Sequence, residues 1–64
     1  MMINGQIADI NSEVSLLEFL QRSNYDISKI AVELNGDIVP KANYISVVLH
    51  ENDSLEVVSF VGGG

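Results

Sequence analysis

The chain has 64 residues, enough for one small domain, and such a domain buries only about 60% of the surface that its unfolded chain exposes. It contains no cysteine, which excludes disulfides, thiolate metal sites, a cysteine nucleophile and a persulfide on the chain itself. Nine Asp and Glu against three Lys and Arg give a net charge of −6, which disfavours nucleic acid and anionic lipid and favours a basic protein partner.

The first predicted element is a β-hairpin. Residues 1–6 are predicted as a short strand that runs into Asn4 and Gly5. Asn-Gly is the strongest short hairpin signal, because a type I′ turn needs positive φ at both central residues. Residues 6–10 are expected to return as the second strand. Ile7 and Ile10 do not share a face of a regular strand, so a bulge in this strand is an alternative.

A helix is predicted to begin at Ser15. Glu18 follows three residues later, which is the capping-box pattern: the Ser15 hydroxyl accepts from the Glu18 amide, and the Glu18 carboxylate reaches back to the Ser15 amide. Asn24 suits the position after the C-cap, so the helix has about two and a half turns and must dock on a sheet to be stable. Its predicted buried face consists of Leu16, Phe19 and Leu20.

A third strand is predicted over residues 30–34, where large apolar side chains alternate with a small one and a charged one. Asn35 and Gly36 are expected to form a second hairpin turn, after which residues 37–40 return. Pro40 cannot donate to a ladder, which places this returning strand at a sheet edge or at a strand end.

The longest predicted strand is the last one, residues 54–61. Before it, residues 41–45 are expected to form a turn or a single helical turn, residues 46–49 a short strand and residues 50–53 a polar turn. The final strand is apolar on both alternating sets, which is typical of a strand in the middle of a sheet.

The order of these elements predicts an α+β fold, with one helix packed on one face of a mixed sheet of four to five strands. The first and last strands are expected to lie side by side in the centre and to be parallel, because a hairpin cannot link them. This is the ubiquitin-like β-grasp arrangement, with a domain of residues 1–61 and a glycine tail of residues 62–64. The predicted core consists of Leu16, Phe19, Leu20, Ile30, Val32, Leu55 and Val57.

A single helix leaves the other face of the sheet uncovered. Leu55, Val57 and Val61 are expected to face the helix, so that Val58 and Phe60 point to the uncovered side. Exposed apolar groups there suggest a docking patch for a protein partner. The alternative is that Phe60 only covers the sheet edge.

Gly62, Gly63 and Gly64 follow the final strand. Because glycine has no Cβ, such a segment enters spaces too narrow for other residues. The stretch from Phe60 to Gly64 extends roughly 16–18 Å, long enough to carry a carboxylate into a buried site of another protein. The alternatives are a frayed terminus and a linker scar.

The remaining polar residues predict no catalytic or metal site. His50 is the only histidine, and without cysteine a metal site would need carboxylates alone to complete it, so a solvated turn is favoured. Glu51, Asp53 and Glu56 cluster in sequence, but a domain of this size does not enclose a glycosidase substrate. The chain has neither an apolar run long enough to span a membrane nor a basic leader, so we expect a cytoplasmic protein.

Several segments together resemble the ThiS family, the small ubiquitin-like sulfur carriers of thiamine biosynthesis, over essentially the whole length. They are the opening Ile3-Asn4-Gly5, the segment from Val32 to Pro40, Tyr44, Asp53 and the ending Phe60-Val61-Gly62-Gly63-Gly64. Two departures are Lys41, where many relatives carry arginine, and the more polar turn at residues 50–53. Neither of them touches the tail.

The resemblance implies a carrier that partner enzymes act on, rather than an enzyme. An adenylating enzyme of the ubiquitin-activating type, ThiF, would use ATP to adenylate the Gly64 carboxylate. Sulfur from a persulfide protein would convert it to a thiocarboxylate, and the thiazole synthase ThiG would accept that sulfur. The free chain is expected to be a monomer without a bound cofactor. The predicted partner-binding residues are Val58, Phe60, Val61, Gly62 and Gly63.

Three alternatives remain open: a carrier that serves as the small subunit of a molybdopterin synthase, a ubiquitin-like modifier of lysines, and an interaction domain with an inert tail. The molybdopterin family resembles this chain in fold and mechanism, but its members usually are longer and end in a double glycine. The ending Phe-Val-Gly-Gly-Gly and the short length favour the thiamine carrier.

Overall fold

The computed structural model describes residues 1–10 and 13–60 of the chain. In chain order its strands and its α-helix are β1 (Met2–Ile3), β2 (Gln6–Ile7), β3 (Val14–Ser15), α1 (Leu16–Arg22), β4 (Ile30–Leu34), β5 (Asp37–Ile38), β6 (Val48–Leu49) and β7 (Ser54–Ser59). Two single-turn 3-10 helices lie at Ile27–Lys29 and Lys41–Asn43. The second of them confirms the helical turn predicted within residues 41–45.

Strand β7 lies at the centre of a mixed five-stranded sheet with the order β2-β1-β7-β4-β5. β1 runs parallel to β7, with Met2 opposite Ser54, and β4 runs antiparallel to it, with Val32 opposite Val57. The predicted parallel pairing of the first and last strands is therefore confirmed, as are the central place of β7 and the edge position of β5. β7 ends at Ser59, so Phe60 lies just beyond the strand that was predicted to run to Val61, and Val61 itself lies outside the described residues.

Both Asn-Gly pairs form the predicted turns. Asn4 and Gly5 have φ values of 50° and 82°, and Asn35 and Gly36 have 52° and 88°, so both central residues of each turn lie in the left-handed region. The second strand is shorter than predicted and ends at Ile7. Its pairing with β1 comprises two residue pairs, and one further hydrogen bond joins the Ala8 amide to the Met1 carbonyl at 2.8 Å.

Helix α1 has the predicted cap at each end. The Ser15 hydroxyl accepts a hydrogen bond from the Glu18 amide at 3.1 Å. The Glu18 carboxylate forms an ion pair with Arg22, one helical turn on, and here the structure departs from the predicted bond to the Ser15 amide. At the C-terminal end, Asn24 has a φ of 65°, and its amide donates to the Gln21 carbonyl at 3.1 Å, which is a feature of the Schellman motif.

A small second sheet, which was not predicted, holds the start of the helix, and its strand β6 lies within the short strand predicted at residues 46–49. β3 pairs antiparallel with β6, with Val14 opposite Leu49. Beyond this pair, the Leu16 amide donates to the Val47 carbonyl at 2.8 Å and the Leu17 amide to the Tyr44 carbonyl at 3.0 Å. The first amides of a helix have no partner inside it. Here a distant segment of the chain supplies that partner, which joins the loop before β6 to the helix.

The core lies between α1 and the sheet. Six of the seven predicted core residues are buried, whereas Phe19 is only half-buried, because Leu16 and Leu20 face the sheet directly and Phe19 flanks them. Tyr44 and Leu49 are buried although they were not predicted, and burial raises the pKa of the Tyr44 hydroxyl. Within the described residues, the buried apolar side chains are Leu16, Leu20, Ile30, Val32, Tyr44, Leu49, Leu55 and Val57.

Candidate partner-docking face and tail

The side of the five-stranded sheet that faces away from α1 carries both apolar and acidic side chains. Residues opposite each other in register lie on the same face of a sheet. Val58 lies opposite Ala31, Glu56 opposite Glu33, and Glu33 in turn opposite Ile38. These five residues form what we call the open face, and all of them are exposed or half-buried.

Val58 is 60% exposed on the open face, whereas its neighbour Val57 is only 7% exposed beneath the helix. The predicted orientation of Val58 is therefore confirmed. Ile38 on the edge strand is 76% exposed and extends the apolar part of the face. Exposed apolar side chains grouped on one face are typical of an interaction surface.

Phe60 is the last described residue before the tail, and it contacts one lysine through its backbone and another through its ring. Its amide donates to the Lys29 carbonyl at 3.0 Å, which continues the pairing with the segment before β4. The Lys41 ammonium lies 5.7 Å from the centre of the Phe60 ring, within the range of a cation–π contact. The ring itself is 60% exposed. These contacts fix the backbone at Phe60 while leaving its ring accessible to a partner.

The tail itself lies outside the described residues. Val61, Gly62, Gly63 and Gly64 were predicted to bind partners or to carry the reactive carboxylate, and these roles remain predictions. The described residues show where the chain enters the tail, namely at Phe60, next to the open face.

A hydrogen-bond network fixes the start of β7. Asp53 accepts from the Asn35 side-chain amide at 3.0 Å and from the His50 amide at 2.8 Å, while the Asn35 side chain accepts from the Ser54 amide at 2.9 Å. The hydrogen bond from Asn35, with a further one from His50, holds the pKa of Asp53 below its ordinary value of 3.8. Asn35 was predicted only as a turn residue. No neighbouring residue in the sequence indicated that its side chain also hydrogen-bonds to the start of the central strand.

Asn4 makes a similar connection at the other hairpin. Its side-chain oxygen accepts from the Val57 amide at 2.8 Å, and its own amide donates to the Leu55 carbonyl at 2.9 Å. Each Asn-Gly turn thus contributes an asparagine whose side-chain oxygen accepts a hydrogen bond from a backbone amide of β7. Together the two asparagines fix the position of the strand that leads to the tail.

His50 lies near two carboxylates. Its Nε2 atom is 2.9 Å from Glu13 and its Nδ1 atom 3.7 Å from Asp53. Within residues 1–10 and 13–60, no three His, Asp or Glu side chains lie close enough together to hold a metal ion. The same part of the chain contains no helix that is long and apolar enough to cross a bilayer.

Comparison with known sequences identifies one family. The sequence model of the ThiS family matches residues 1–64. A thiazole synthase of Paramagnetospirillum magneticum is 38% identical over 64 residues, which are all of this chain but only 20% of that protein. The ycf40 protein of Pyropia yezoensis is 36% identical over 62 residues, which are 97% of this chain and 87% of that protein. The chain therefore spans about a fifth of the length of the thiazole synthase it matches and most of the length of the ycf40 protein.

Comparison with solved structures supports the fold. The crystal structure of the thiamine biosynthesis protein ThiS from Geobacter metallireducens superposes with a TM-score of 0.84 at 23% identity, covering 98% of this chain and 96% of that one. The solution structure of a thiamine biosynthesis protein from the same organism gives a TM-score of 0.82 at 23% identity, covering 98% and 85%. This similarity and the sheet topology confirm the predicted β-grasp fold.

Proposed function

Because the chain belongs to the ThiS family, we propose that it is a sulfur carrier of thiamine biosynthesis whose working group is the Gly64 carboxylate. The observation that carries this proposal is the family match over residues 1–64, which includes the three glycines of the tail. The fold adds support, since the central strand leads into that tail next to an exposed apolar face.

The proposed chemistry has two stages. The Gly64 carboxylate attacks the α-phosphorus of ATP and pyrophosphate leaves, which turns a poor electrophile into an acyl-adenylate. The terminal sulfur of a persulfide then displaces AMP to give an acyl disulfide. A thiol attacks the donor protein's sulfur of that disulfide, which releases the thiocarboxylate and leaves a new disulfide between the thiol and the donor protein. The chain has no cysteine, so the persulfide must belong to another protein.

The partners in this scheme supply the catalysis, and the chain is their protein-sized cosubstrate. An adenylating enzyme, ThiF, binds the ATP, and a thiazole synthase, ThiG, accepts the sulfur. The 38% identity to part of a protein named thiazole synthase supports the second partner. We propose that the free chain is a cytoplasmic monomer, and that Val58, Phe60 and the first residues of the tail contact each partner in turn.

Mass spectrometry tests the proposal directly. The full-length chain is incubated with the adenylating enzyme, ATP, a persulfide donor and a thiol, and replacement of one oxygen by sulfur raises its mass by about 16 Da. Two control variants, one lacking Gly64 and one with a residue added after it, should remain folded and gain no sulfur. A chain that stays unmodified, or an extended variant that gains sulfur equally well, would disprove the role of Gly64.

A further inference from the structure

The open face contains a pair of like charges that the fold does not neutralise. Glu33 on β4 and Glu56 on β7 are directly opposite each other. Their Cβ atoms are therefore about 4.5–5.5 Å apart, and like charges in this arrangement destabilise a sheet. The two carboxylates therefore lower the stability of the isolated domain.

The basic side chains of the protein all have other neighbours. The chain has only three Lys and Arg and one His, and all four lie within the described residues. Arg22 pairs with Glu18, Lys29 lies 3.9 Å from Asp26, and His50 contacts Glu13. The Lys41 ammonium lies over the Phe60 ring. Among the described residues no basic side chain pairs with Glu33 or Glu56, which leaves both carboxylates available to a cation of another molecule.

The surroundings of the two carboxylates favour a long basic side chain over a free ion. A shallow groove on the open face is lined by Ala31, Val32, Glu33, Ile38, Glu56 and Val58. Its apolar walls suit the methylene stem of an arginine or a lysine, while its carboxylates suit the charged head. Two carboxylates one strand apart also match the flat, forked guanidinium of arginine.

We propose that Glu33 and Glu56 bind one basic side chain, an arginine by preference, on the surface of the adenylating enzyme. This inference rests on the proposed function, because it names the contact by which the first partner recognises the carrier. The open face adjoins Phe60, so it lies beside the segment of chain that an enzyme would bind in order to take up the tail. An enzyme that binds ATP gathers positive charge around the phosphates, which makes it the partner with the complementary potential.

The test compares two variants with equal net charge. Glu33→Gln/Glu56→Gln removes both carboxylates of the open face, and Asp9→Asn/Glu51→Gln removes two exposed carboxylates elsewhere. Binding to the adenylating enzyme is measured by surface plasmon resonance. We expect the open-face variant to raise Kd about 30-fold or more, mainly through faster dissociation, and the control to change Kd less than about threefold, through slower association.

A measurement on the free chain supplies a second readout. If the two carboxylates repel each other, the open-face variant should have a higher Tm than the wild type, by roughly 1–6 °C, and the control should not. A higher Tm combined with weaker binding supports the proposal, because lost binding cannot then result from misfolding. A lower Tm than the wild type would overturn it.

The remaining outcomes separate this inference from the proposed function. If the wild type acquires sulfur and the open-face variant still binds as tightly as the wild type, the inference is wrong and the sulfur-carrier role stands. If the wild type binds the enzyme, the open-face variant does not, and neither acquires sulfur, the inference stands and the carrier role is wrong. Loss of binding to the thiazole synthase alone, or self-association of the variant with unchanged enzyme binding, would overturn the inference.

Discussion

The two faces of the central sheet are made from the same strands but are under different constraints. Along β7, Leu55 and Val57 are buried under α1, whereas Glu56 and Val58 alternate with them on the open face. The buried side chains of the covered face are all apolar, since they must exclude water to hold a small domain together. The open face mixes carboxylates with exposed apolar groups and contributes little to folding. Its composition is therefore free to serve recognition.

The largest expected effect lies on the covered face. Leu20→Ala removes a fully buried side chain, and we expect it to lower the free energy of unfolding by about 2–5 kcal/mol. Val58→Ala on the open face is the matched control and should change it by less than about 0.5 kcal/mol. Urea denaturation of both variants measures the difference. Equal losses of unfolding free energy at the two positions would show that the open face contributes as much to stability as the covered face.

The second prediction reverses the comparison by measuring binding instead of stability. Phe60→Ala should weaken binding to the adenylating enzyme by about 2 kcal/mol, roughly 30-fold in Kd, because an exposed aromatic ring beside the tail is a typical interface anchor. Its Tm should remain near that of the wild type.

Ile45→Ala serves as the control for Phe60→Ala. Ile45 is also exposed, at 70%, but it lies in the loop that contacts the start of α1. Titration calorimetry should find its affinity unchanged. If both variants bind normally, the open face is not where the enzyme docks.

The third prediction concerns a contact that lies in the plane of the sheet and belongs to neither face. Asn4→Gly keeps the positive φ that the turn requires but removes the acceptor for the Val57 amide. We expect a loss of about 1–3 kcal/mol in the free energy of unfolding, since a partly buried amide is left unpaired. Asn4→Asp retains an acceptor and should recover most of that loss in the same denaturation experiment.

The smallest expected effect is a pH dependence at Asp53. Its pKa is lowered in the folded state, mainly by the hydrogen bond from Asn35, so the ionised carboxylate stabilises the fold above its ordinary value of 3.8. That stabilisation is lost as the pH falls below this value and through the folded pKa. The Tm of the wild type should therefore fall more steeply in acid than the Tm of Asp53→Asn. Parallel curves would show that the network around Asp53 does not depend on its charge.

Local signals were sufficient to predict most of the fold. The two Asn-Gly turns, the Ser15 cap and the alternation in β4 and β7 each depend on residues close together in sequence, and all of them are confirmed. The second sheet was missed because β3 has only two residues, too few for a periodicity to be visible, and because its partner β6, within the strand predicted at residues 46–49, is distant in the sequence. Tyr44 is buried by the tertiary contacts of an irregular loop, and no hydrophobic periodicity around it predicts that burial.

The candidate site was predictable only in part. The orientation of Val58 followed from the period of a strand, and it is confirmed. The opposition of Glu33 and Glu56 depends instead on the register between β4 and β7, which pairs residues from distant parts of the chain. The anchoring of β7 by Asn4 and Asn35 could not be predicted for the same reason, since a turn signal does not reveal a distant hydrogen-bond partner.

The central place of β7 also determines the order in which the domain can form. The β1–β2 hairpin and the β4–β5 hairpin belong to one sheet only because β7 lies between them, and residues paired across β1 and β7 are about fifty positions apart in the sequence. An isolated two-stranded hairpin is at best marginally stable in water. Pairing across so long a loop costs chain entropy before its contacts form, so we expect the rate-limiting step of folding to include the pairing of β7 with both hairpins. The strand that leads to the tail is thus also the strand whose arrival completes the sheet.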